Sequence, residues 1–189
     1  KILHKSDAGG VSLNLADANA VIRSIRQMEK KSAIAAVQID GWLVEEMAPK
    51  GLELMVGGLI DPCFGPMVLV GIGGIFVEVF EDIALRICPI VQSDAEEMLL
   101  ELKGGKILDG IRGQTSVDRS ALVDIILRFG GVDGLLVQHS DVIAEAEINP
   151  VIVSAKGAVA VDARFILAKT QKKSKTTVPP GLNLAPLDR

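Results

Sequence analysis

The sequence predicts an α+β fold: a mostly antiparallel sheet with flanking helices. One helical pattern near the amino terminus is followed by short apolar segments separated by Pro and Gly, which are typical of meandering strands. Two further helical patterns and a final pair of strand patterns come after these segments. This order favours α+β over a doubly wound parallel sheet, in which strands and helices alternate.

The first part of the chain is predicted to hold a strand, a helix and another strand. Residues 9–15 alternate weakly, as a strand does, and residues 16–31 carry apolar residues at helical spacing, with Asn14 as the expected cap. A second strand is expected over residues 42–47. The apolar residues of the helix are Ala20, Ile22, Ile25 and Met28.

The middle of the chain is predicted as successive strands over residues 53–60, 67–72 and 76–80. The glycine-rich run at residues 71–74 is weak as a phosphate loop, because a strand and not a helix follows it. Close packing of two backbones is the alternative for this run. Glu78 and Asp82 are expected to face either a metal or the solvent.

The last part is predicted to hold two helices and then strands. The first helix covers residues 94–103 with Ser93 as its cap, and the second is capped by Ser116 or Asp118. The apolar face of the second helix is formed by Leu122, Ile125, Ile126 and Phe129. The strands that follow are predicted over residues 142–153 and 158–166.

Composition argues against several classes of function. The chain has 189 residues, 49% hydrophobic residues and a net charge of −4, which suits a globular domain and gives no basic face for nucleic acid. The longest apolar stretch, Met67 to Phe80, is broken by glycines and contains Glu78, so no membrane span is expected. Cys63 and Cys88 lack metal-ligand spacing, which predicts two reduced thiols and a cytoplasmic protein.

The boundaries of the predicted domain follow from composition. Residues 169–189 are polar, basic and marked by Pro and Gly, and are interpreted as a linker or tail after a domain over residues 1–168. The chain begins at Lys1, without a Met and directly within a motif, so we expect it to be a piece of a longer protein.

Asn149 and Asp162 are the predicted metal ligands. Residues 151–153 and 158–160 are interpreted as a hairpin joined through Lys156-Gly157, which would bring both ligands to one end. An amide oxygen and a carboxylate suit Mg²⁺, which keeps its waters and takes further ligands from phosphate. The alternative is structural: Asn-Pro opens a turn and Asp closes a strand.

Two glycines near the start form a candidate phosphate loop. Gly9 and Gly10 would let the backbone approach a phosphate, and Lys5 adds a positive charge. His4 is largely neutral at pH 7 and can accept a phosphoryl group through a ring nitrogen. The alternatives are an ordinary Gly-Gly turn and a solvated histidine.

An ordered set of motifs closely resembles the ATP-grasp domain of the nucleoside-diphosphate-forming acyl-CoA synthetases, and more distantly the beta subunit of succinyl-CoA synthetase. The resemblance covers residues 4–167, and its specificity lies in the order of the motifs. They are His4 to Val11, Glu45-Glu46-Met47, Gly51-Leu52-Glu53, Asp61 to Pro66, Gly71 to Glu78, Gly110 to Gly113, Glu147 to Pro150 and Val161 to Arg164.

The resemblance implies an ATP-grasp fold and a set of roles. His4 belongs to the loop that shuttles phosphate, Glu46 and Met47 line the adenine pocket, and Glu53 binds the ribose. Glu147 contacts the phosphohistidine rather than the metal. Arg112, which lies between glycines, is a contact for phosphate or for the phosphohistidine loop.

The implied reaction couples ATP to acid plus CoA, releasing ADP and phosphate, with Mg²⁺ neutralising phosphate charge. Its CoA and short carboxylic acid would bind to a CoA-binding ligase domain or alpha subunit, which this domain requires as a partner. The chain starts after the family's phosphate-gripping lysine, so its amino-terminal subdomain is expected to be truncated and its ATP affinity poor. The alternative is a regulatory ATP-grasp portion of a protein lysine acetyltransferase.

Overall fold

The computed structural model describes residues 9–73, 82–110 and 115–168, and the chain divides into two compact units, residues 1–49 and 50–189. The predicted tail over residues 169–189 and the predicted strand over residues 76–80 lie outside the described residues.

The first unit contains a helix, α1 (Ala18–Met28), and a single helical turn, α2 (Ser32–Ala35). Asp17 caps α1, since its Oδ1 accepts a hydrogen bond from the backbone N–H of Ala20 at 2.7 Å. Lys31, which lies between α1 and α2, donates from Nζ to the carbonyl of Gly9 at 3.0 Å and so contacts the turn at Gly9.

Three predictions for this unit are wrong. The cap of α1 is Asp17 and not Asn14. Residues 9–15 and 42–47 form no strand, because a strand requires a hydrogen-bonded neighbour and neither segment has one among the described residues.

The second unit is built on an antiparallel sheet. Its strands within the described residues are β1 (Leu52–Asp61), β2 (Gly65–Ile72), β3 (Ile83–Ile87), β4 (Ile143–Ser154), β5 (Gly157–Ala160) and β6 (Ala163–Leu167). The order is β3-β2-β1-β4-β5, and β6 pairs with the first half of β4 along the edge that β5 continues. Every pairing in the sheet is antiparallel, as predicted.

Helices cover one face of this sheet. They are α3 (Gln92–Glu101), a 3-10 helix (Gly105–Asp109), α4 (Arg119–Gly130) and α5 (Leu135–Gln138). Alternate residues of β1, β2 and β4 point to these helices and form the core with them. The largest fully buried side chains are Leu54, Met98, Leu99, Leu108, Leu122, Ile126, Leu136, Val56, Val68, Val70, Val151 and Val153.

Of the caps predicted for α3 and α4, the cap of α4 is confirmed and the cap of α3 is wrong. Asp118 caps α4, with its Oδ1 accepting the Ala121 N–H at 3.0 Å, as one of the two predicted alternatives required. The helix predicted at residues 94–103 begins instead at Gln92, and Ser93 is not its cap. The backbone N–H of Val91 donates to Asp94 Oδ2 at 2.8 Å and closes this terminus.

Asp82 has a structural role that differs from both sequence expectations. It is buried, and its two carboxylate oxygens accept the backbone N–H groups of Lys103 at 2.7 Å and Gly104 at 2.8 Å. A Cβ on Gly104 would lie 3.1 Å from this carboxylate. Asp82 therefore fastens the turn after α3, and it faces neither a metal nor the solvent.

Candidate functional site

The face of the sheet opposite the helices carries three of the polar residues that the sequence singled out: Glu53, Glu147 and Asn149. Because successive strand residues point to opposite faces, the residues between the buried ones lie together here. We call this surface the outer face. Its central residues are Glu53, Met55, Gly57 and Leu59 of β1, Glu145, Glu147 and Asn149 of β4, and Arg164 and Ile166 of β6.

A β-bulge on β4 sets the position of Asn149. The pairing of β1 with β4 shifts between Leu54↔Val151 and Val56↔Ile148, so that Asn149 and Pro150 together oppose Met55. Pro150 has no N–H to contribute to a ladder, which makes this an expected place for a bulge. Ile148 and Val151 both face the core, three residues apart, and Asn149 is left exposed on the outer face beside Glu147.

Three polar side chains are linked across β4 and β6. Asn149 Nδ2 donates to Glu147 Oε1 at 3.0 Å, and Arg164 Nη2 donates to Glu147 Oε2 at 2.8 Å. An ionised carboxylate only accepts hydrogen bonds, so the amide of Asn149 must present its nitrogen to Glu147. Its oxygen, Oδ1, then faces away from Glu147 and accepts no hydrogen bond from the part of the chain that the structure describes.

Asp162 lies next to Asn149 at the junction of β5 and β6. The backbone N–H of Asn149 donates to the carbonyl of Asp162 at 3.1 Å, and the N–H of Val161 donates to the carbonyl of Pro150 at 3.0 Å. The side chain of Asp162 is exposed, and its Oδ1 accepts the N–H of Ala163 at 3.0 Å. The predicted hairpin is confirmed by the pairs Val151↔Ala160 and Val153↔Ala158.

The donor set suits Mg²⁺. It offers one amide oxygen and one carboxylate, and Mg²⁺ commonly takes only one or two protein ligands beside water and phosphate. Among residues 9–73, 82–110 and 115–168, no three His, Cys, Asp or Glu side chains are grouped to hold a metal. A cation held by these two ligands would take its remaining ligands from water and phosphate oxygens.

A shallow concavity on the outer face extends from Glu147 towards Leu59 and Leu69. Its volume is about 130 Å³, whereas pockets that enclose a small ligand commonly have about 300–1,000 Å³. Gly57 lies opposite Glu147, and its missing side chain leaves the floor open. The outer face therefore offers a contact surface for part of a ligand and does not enclose one.

Glu53 lies on the same face of β1 as Met55, and Asn149 Nδ2 contacts the sulfur of Met55 at 3.7 Å. The carbonyl of Glu53 accepts the N–H of Gly73 at 2.8 Å, and a Cβ on Gly73 would lie 2.9 Å from that oxygen. Close packing of two backbones thus explains Gly73, in agreement with the structural interpretation of this glycine run.

The remaining predicted residues are distributed as follows. Gly9 and Gly10 lie at a turn in the first unit, where Gly9 has a φ of +68°. Glu46 and Met47 are exposed in a segment of that unit without regular structure, so their predicted contacts with adenine remain predictions. His4, Lys5 and Arg112 lie outside the described residues, as does Glu78.

Arg164 was missed by the sequence reasoning. The signal was present, because Arg164 follows Asp162 by two residues, and a period of two places both on one face of an extended segment. Its contact with Glu147 depends on the register Glu147↔Arg164, which no short motif specifies.

The described helices show no candidate for a membrane span: none within residues 9–73, 82–110 and 115–168 combines the necessary length and apolarity. Cys63 is exposed and Cys88 is buried, and each is a free thiol.

Comparison with known proteins identifies similar sequences along nearly the whole chain. A family model described as ATP-grasp domain matches residues 1–167. The chain is 40% identical over 169 residues to the Pyrococcus furiosus protein "Acetate--CoA ligase [ADP-forming] I subunit beta", covering 88% of this chain and 71% of that one. It is 40% identical over 171 residues to the Archaeoglobus fulgidus protein "Acetate--CoA ligase [ADP-forming] I", covering 89% of this chain and 24% of that one.

A solved structure with the same fold carries ligands. The dinucleotide forming acetyl-coenzyme A synthetase 1 of Ca. Korarchaeum cryptofilum, in complex with coenzyme A and Mg-AMPPCP, has a TM-score of 0.76 and 42% sequence identity. The match covers 89% of this chain and 72% of that chain, and the phosphohistidine segment of that protein points towards its nucleotide binding site.

Proposed function

This chain belongs to the ATP-grasp domain family, and we propose that it is the nucleotide-binding part of an ADP-forming acyl-CoA synthetase. The overall reaction is acid + CoA + ATP = acyl-CoA + ADP + phosphate. The observation that carries the proposal is the Asn149–Glu147 contact on the outer face, with Asp162 joined to Asn149 through the backbone, in a chain 40% identical to ligases of this kind.

Asn149 Oδ1 and the carboxylate of Asp162 would hold the cation. A bound Mg²⁺ supplies positive charge that neutralises phosphate oxygens. Glu147 contributes by fixing the Asn149 amide, since its Oε1 accepts from Asn149 Nδ2. Glu53 faces the same side of the sheet and is proposed to bind the ribose hydroxyls, with Glu46 and Met47 at the adenine.

The chemical step exchanges a phosphoryl group between a histidine and the nucleotide. In the direction of ATP synthesis, the N–P bond of a phosphohistidine breaks and a P–O bond forms to a terminal β-phosphate oxygen of ADP. His4 is proposed to carry the phosphoryl group on this chain, with Lys5, Gly9, Gly10 and Arg112 as its phosphate contacts. Glu147 is proposed to contact the phosphohistidine.

A partner is required for the other half of the reaction. The chain spans 71% of the Pyrococcus furiosus beta subunit but only 24% of the Archaeoglobus fulgidus ligase. We therefore assign CoA and the carboxylic acid to a CoA-binding ligase domain or alpha subunit. The proposal includes a cytoplasmic location, where both free thiols stay reduced.

Calorimetric titration of ADP into the complete enzyme, with Mg²⁺ and with EDTA, tests the proposal. We expect Mg²⁺ to tighten ADP binding, and Asn149→Ala and Asp162→Ala each to weaken the Mg²⁺-supported binding by on the order of tenfold or more. Asp124→Ala is a matched control, because Asp124 is exposed on α4, a helix of the opposite face. Equal ADP affinity in Mg²⁺ and EDTA, unchanged in both variants, would remove the metal assignment.

A further inference from the structure

The contact between Arg164 and Glu147 is set by the backbone. The two residues are direct partners in the β4–β6 register, and Arg164 Nη2 lies 2.8 Å from Glu147 Oε2. The Glu147 side chain is only 26% exposed, and its other oxygen is occupied by the Asn149 amide at 3.0 Å. Both oxygens of this carboxylate are thus held by neighbours on the outer face.

The ion pair between Arg164 and Glu147 contributes little to the stability of the fold. The Arg164 side chain is 62% exposed, and ion pairs at the surface commonly contribute almost nothing to folding. The ion pair instead fixes the orientation of the Glu147 carboxylate. Because Arg164 holds Oε2 of Glu147, Oε1 stays where it accepts a hydrogen bond from Asn149 Nδ2.

The orientation of the Asn149 amide depends on that anchor. The nitrogen and oxygen of an amide are exchanged by a half-turn of the side chain, and only the oxygen binds a cation. A Glu147 carboxylate that is free to turn towards solvent would no longer select the orientation with the nitrogen inward. Groups that orient a metal ligand in this way tune metal affinity although they do not touch the metal.

We propose that Arg164 is a positioning residue for the cation site: it anchors Glu147, and through Glu147 it keeps Asn149 Oδ1 free for Mg²⁺. The inference rests on the proposed function and adds to it a residue with no other assigned role. Arg164 also offsets the negative charge of Glu147, which would otherwise repel the phosphates of a nucleotide bound to this face.

The test uses the complete enzyme and compares ADP dissociation constants in Mg²⁺ and in EDTA. Arg164→Gln is expected to lose about tenfold of the tightening that Mg²⁺ gives, with the dissociation constant in EDTA unchanged. Arg164→Lys is expected to retain most of it, because the observed contact uses one N–H group and an ammonium can replace that. Loss of structure alone would weaken binding in both conditions.

A double-mutant cycle separates action through Asn149 from an independent effect. If Arg164 acts through the amide, the variant Asn149→Ala/Arg164→Gln will be no weaker than Asn149→Ala alone. Arg128→Gln is the matched control, because Arg128 is exposed in the last turn of α4, a helix of the opposite face, and should bind as the wild type does.

The outcomes are distinguishable. Wild-type Mg²⁺ dependence in Arg164→Gln, or a double variant weaker than Asn149→Ala by the full effect of Arg164→Gln, overturns the positioning role and leaves the proposed function standing. If Mg²⁺ fails to tighten ADP binding to the wild-type enzyme, the proposed function fails and the inference with it.

Discussion

Gly57 and Gly58 are neighbours on β1 that face opposite sides of the sheet, so replacing each by Ala perturbs one face at a time. A Cβ on Gly58 would lie 2.1 Å from the carbonyl oxygen of Met67 and 2.4 Å from Leu136 Cδ1. Non-bonded heavy atoms normally approach to about 3.5 Å, so β2 and α5 would have to move by more than about 1 Å. Overpacking of this size costs about 3 kcal/mol or more of the free energy of unfolding.

Gly57→Ala should cost less stability than Gly58→Ala but should weaken nucleotide binding. Its Cβ would lie 2.9 Å from the Ala146 carbonyl oxygen and 3.3 Å from Glu147 Cα, so the backbone of β4 would have to shift. We expect a loss of about 1–2 kcal/mol in stability, less than for Gly58→Ala because the contacts are less close. The displaced Glu147 holds the Asn149 amide, so Mg²⁺-supported ADP binding should weaken by about tenfold.

Urea unfolding and calorimetric ADP titration of both variants provide the measurement. A total stability of about 5–15 kcal/mol makes a loss of 3 kcal/mol easy to detect. Surface substitutions usually change the free energy of unfolding by at most about 0.5 kcal/mol. A change no larger than this in Gly58→Ala would refute the packing of α5 on β1. Wild-type ADP binding by a folded Gly57→Ala would refute the link between the floor of the outer face and the nucleotide.

Three further predictions concern residues outside this pair. His4→Ala in the complete enzyme should abolish ATP-dependent acyl-CoA formation and leave ADP binding nearly unchanged; synthesis at the wild-type rate would make His4 a bystander. A thiol reagent at pH 8 should label only Cys63 in the folded protein, because burial raises the pKa of Cys88 to about 11. Since the unfolded chain loses this thiol proton first, near its ordinary pKa of 9.0, stability should fall from about pH 9 towards pH 11, and the Cys88→Ala variant should lack that part of the fall.

Local patterns predicted the second unit better than the first. The β4–β5 hairpin was predictable because two apolar segments flank Lys156-Gly157, and Gly157 adopts a φ of +126° that few other residues tolerate. Asp118 as a helix cap is equally local. Residues 9–15 alternate weakly and residues 42–47 are mostly apolar, but neither pattern supplies the hydrogen-bonded partner that a strand requires.

β3 was missed because its apolar residues point away from the core. Ile83, Leu85 and Ile87 are exposed on the outer face, whereas Arg86 faces the helices and pairs with Glu101 of α3. The Arg86 guanidinium lowers the pKa of the Glu101 carboxyl through this hydrogen bond. Strands of such sheets usually place apolar residues on the buried face and polar residues on the exposed face. β3 places a charged residue towards the helices, so it is difficult to predict from the sequence.

The candidate site shows the same division between local and non-local information. The proximity of Asn149 and Asp162 followed from the hairpin between them, and their backbones do meet at 3.1 Å. The pairing of Glu147 with Arg164 did not follow, because it depends on how β6 aligns with β4 after the bulge at Asn149-Pro150. Register after a bulge is a tertiary property, which a single sequence does not reveal.

A crystal structure of the complete enzyme with Mn²⁺ and AMPPCP would test the central claim most directly. Mn²⁺ prefers the same oxygen ligands as Mg²⁺, and its anomalous signal locates it independently of the protein density. We predict a single peak within about 2.0–2.3 Å of both Asn149 Oδ1 and a carboxylate oxygen of Asp162, with phosphate oxygens completing the shell. A nucleotide-bound manganese ion that contacts neither residue would contradict the assignment of the outer face as the Mg²⁺–nucleotide site.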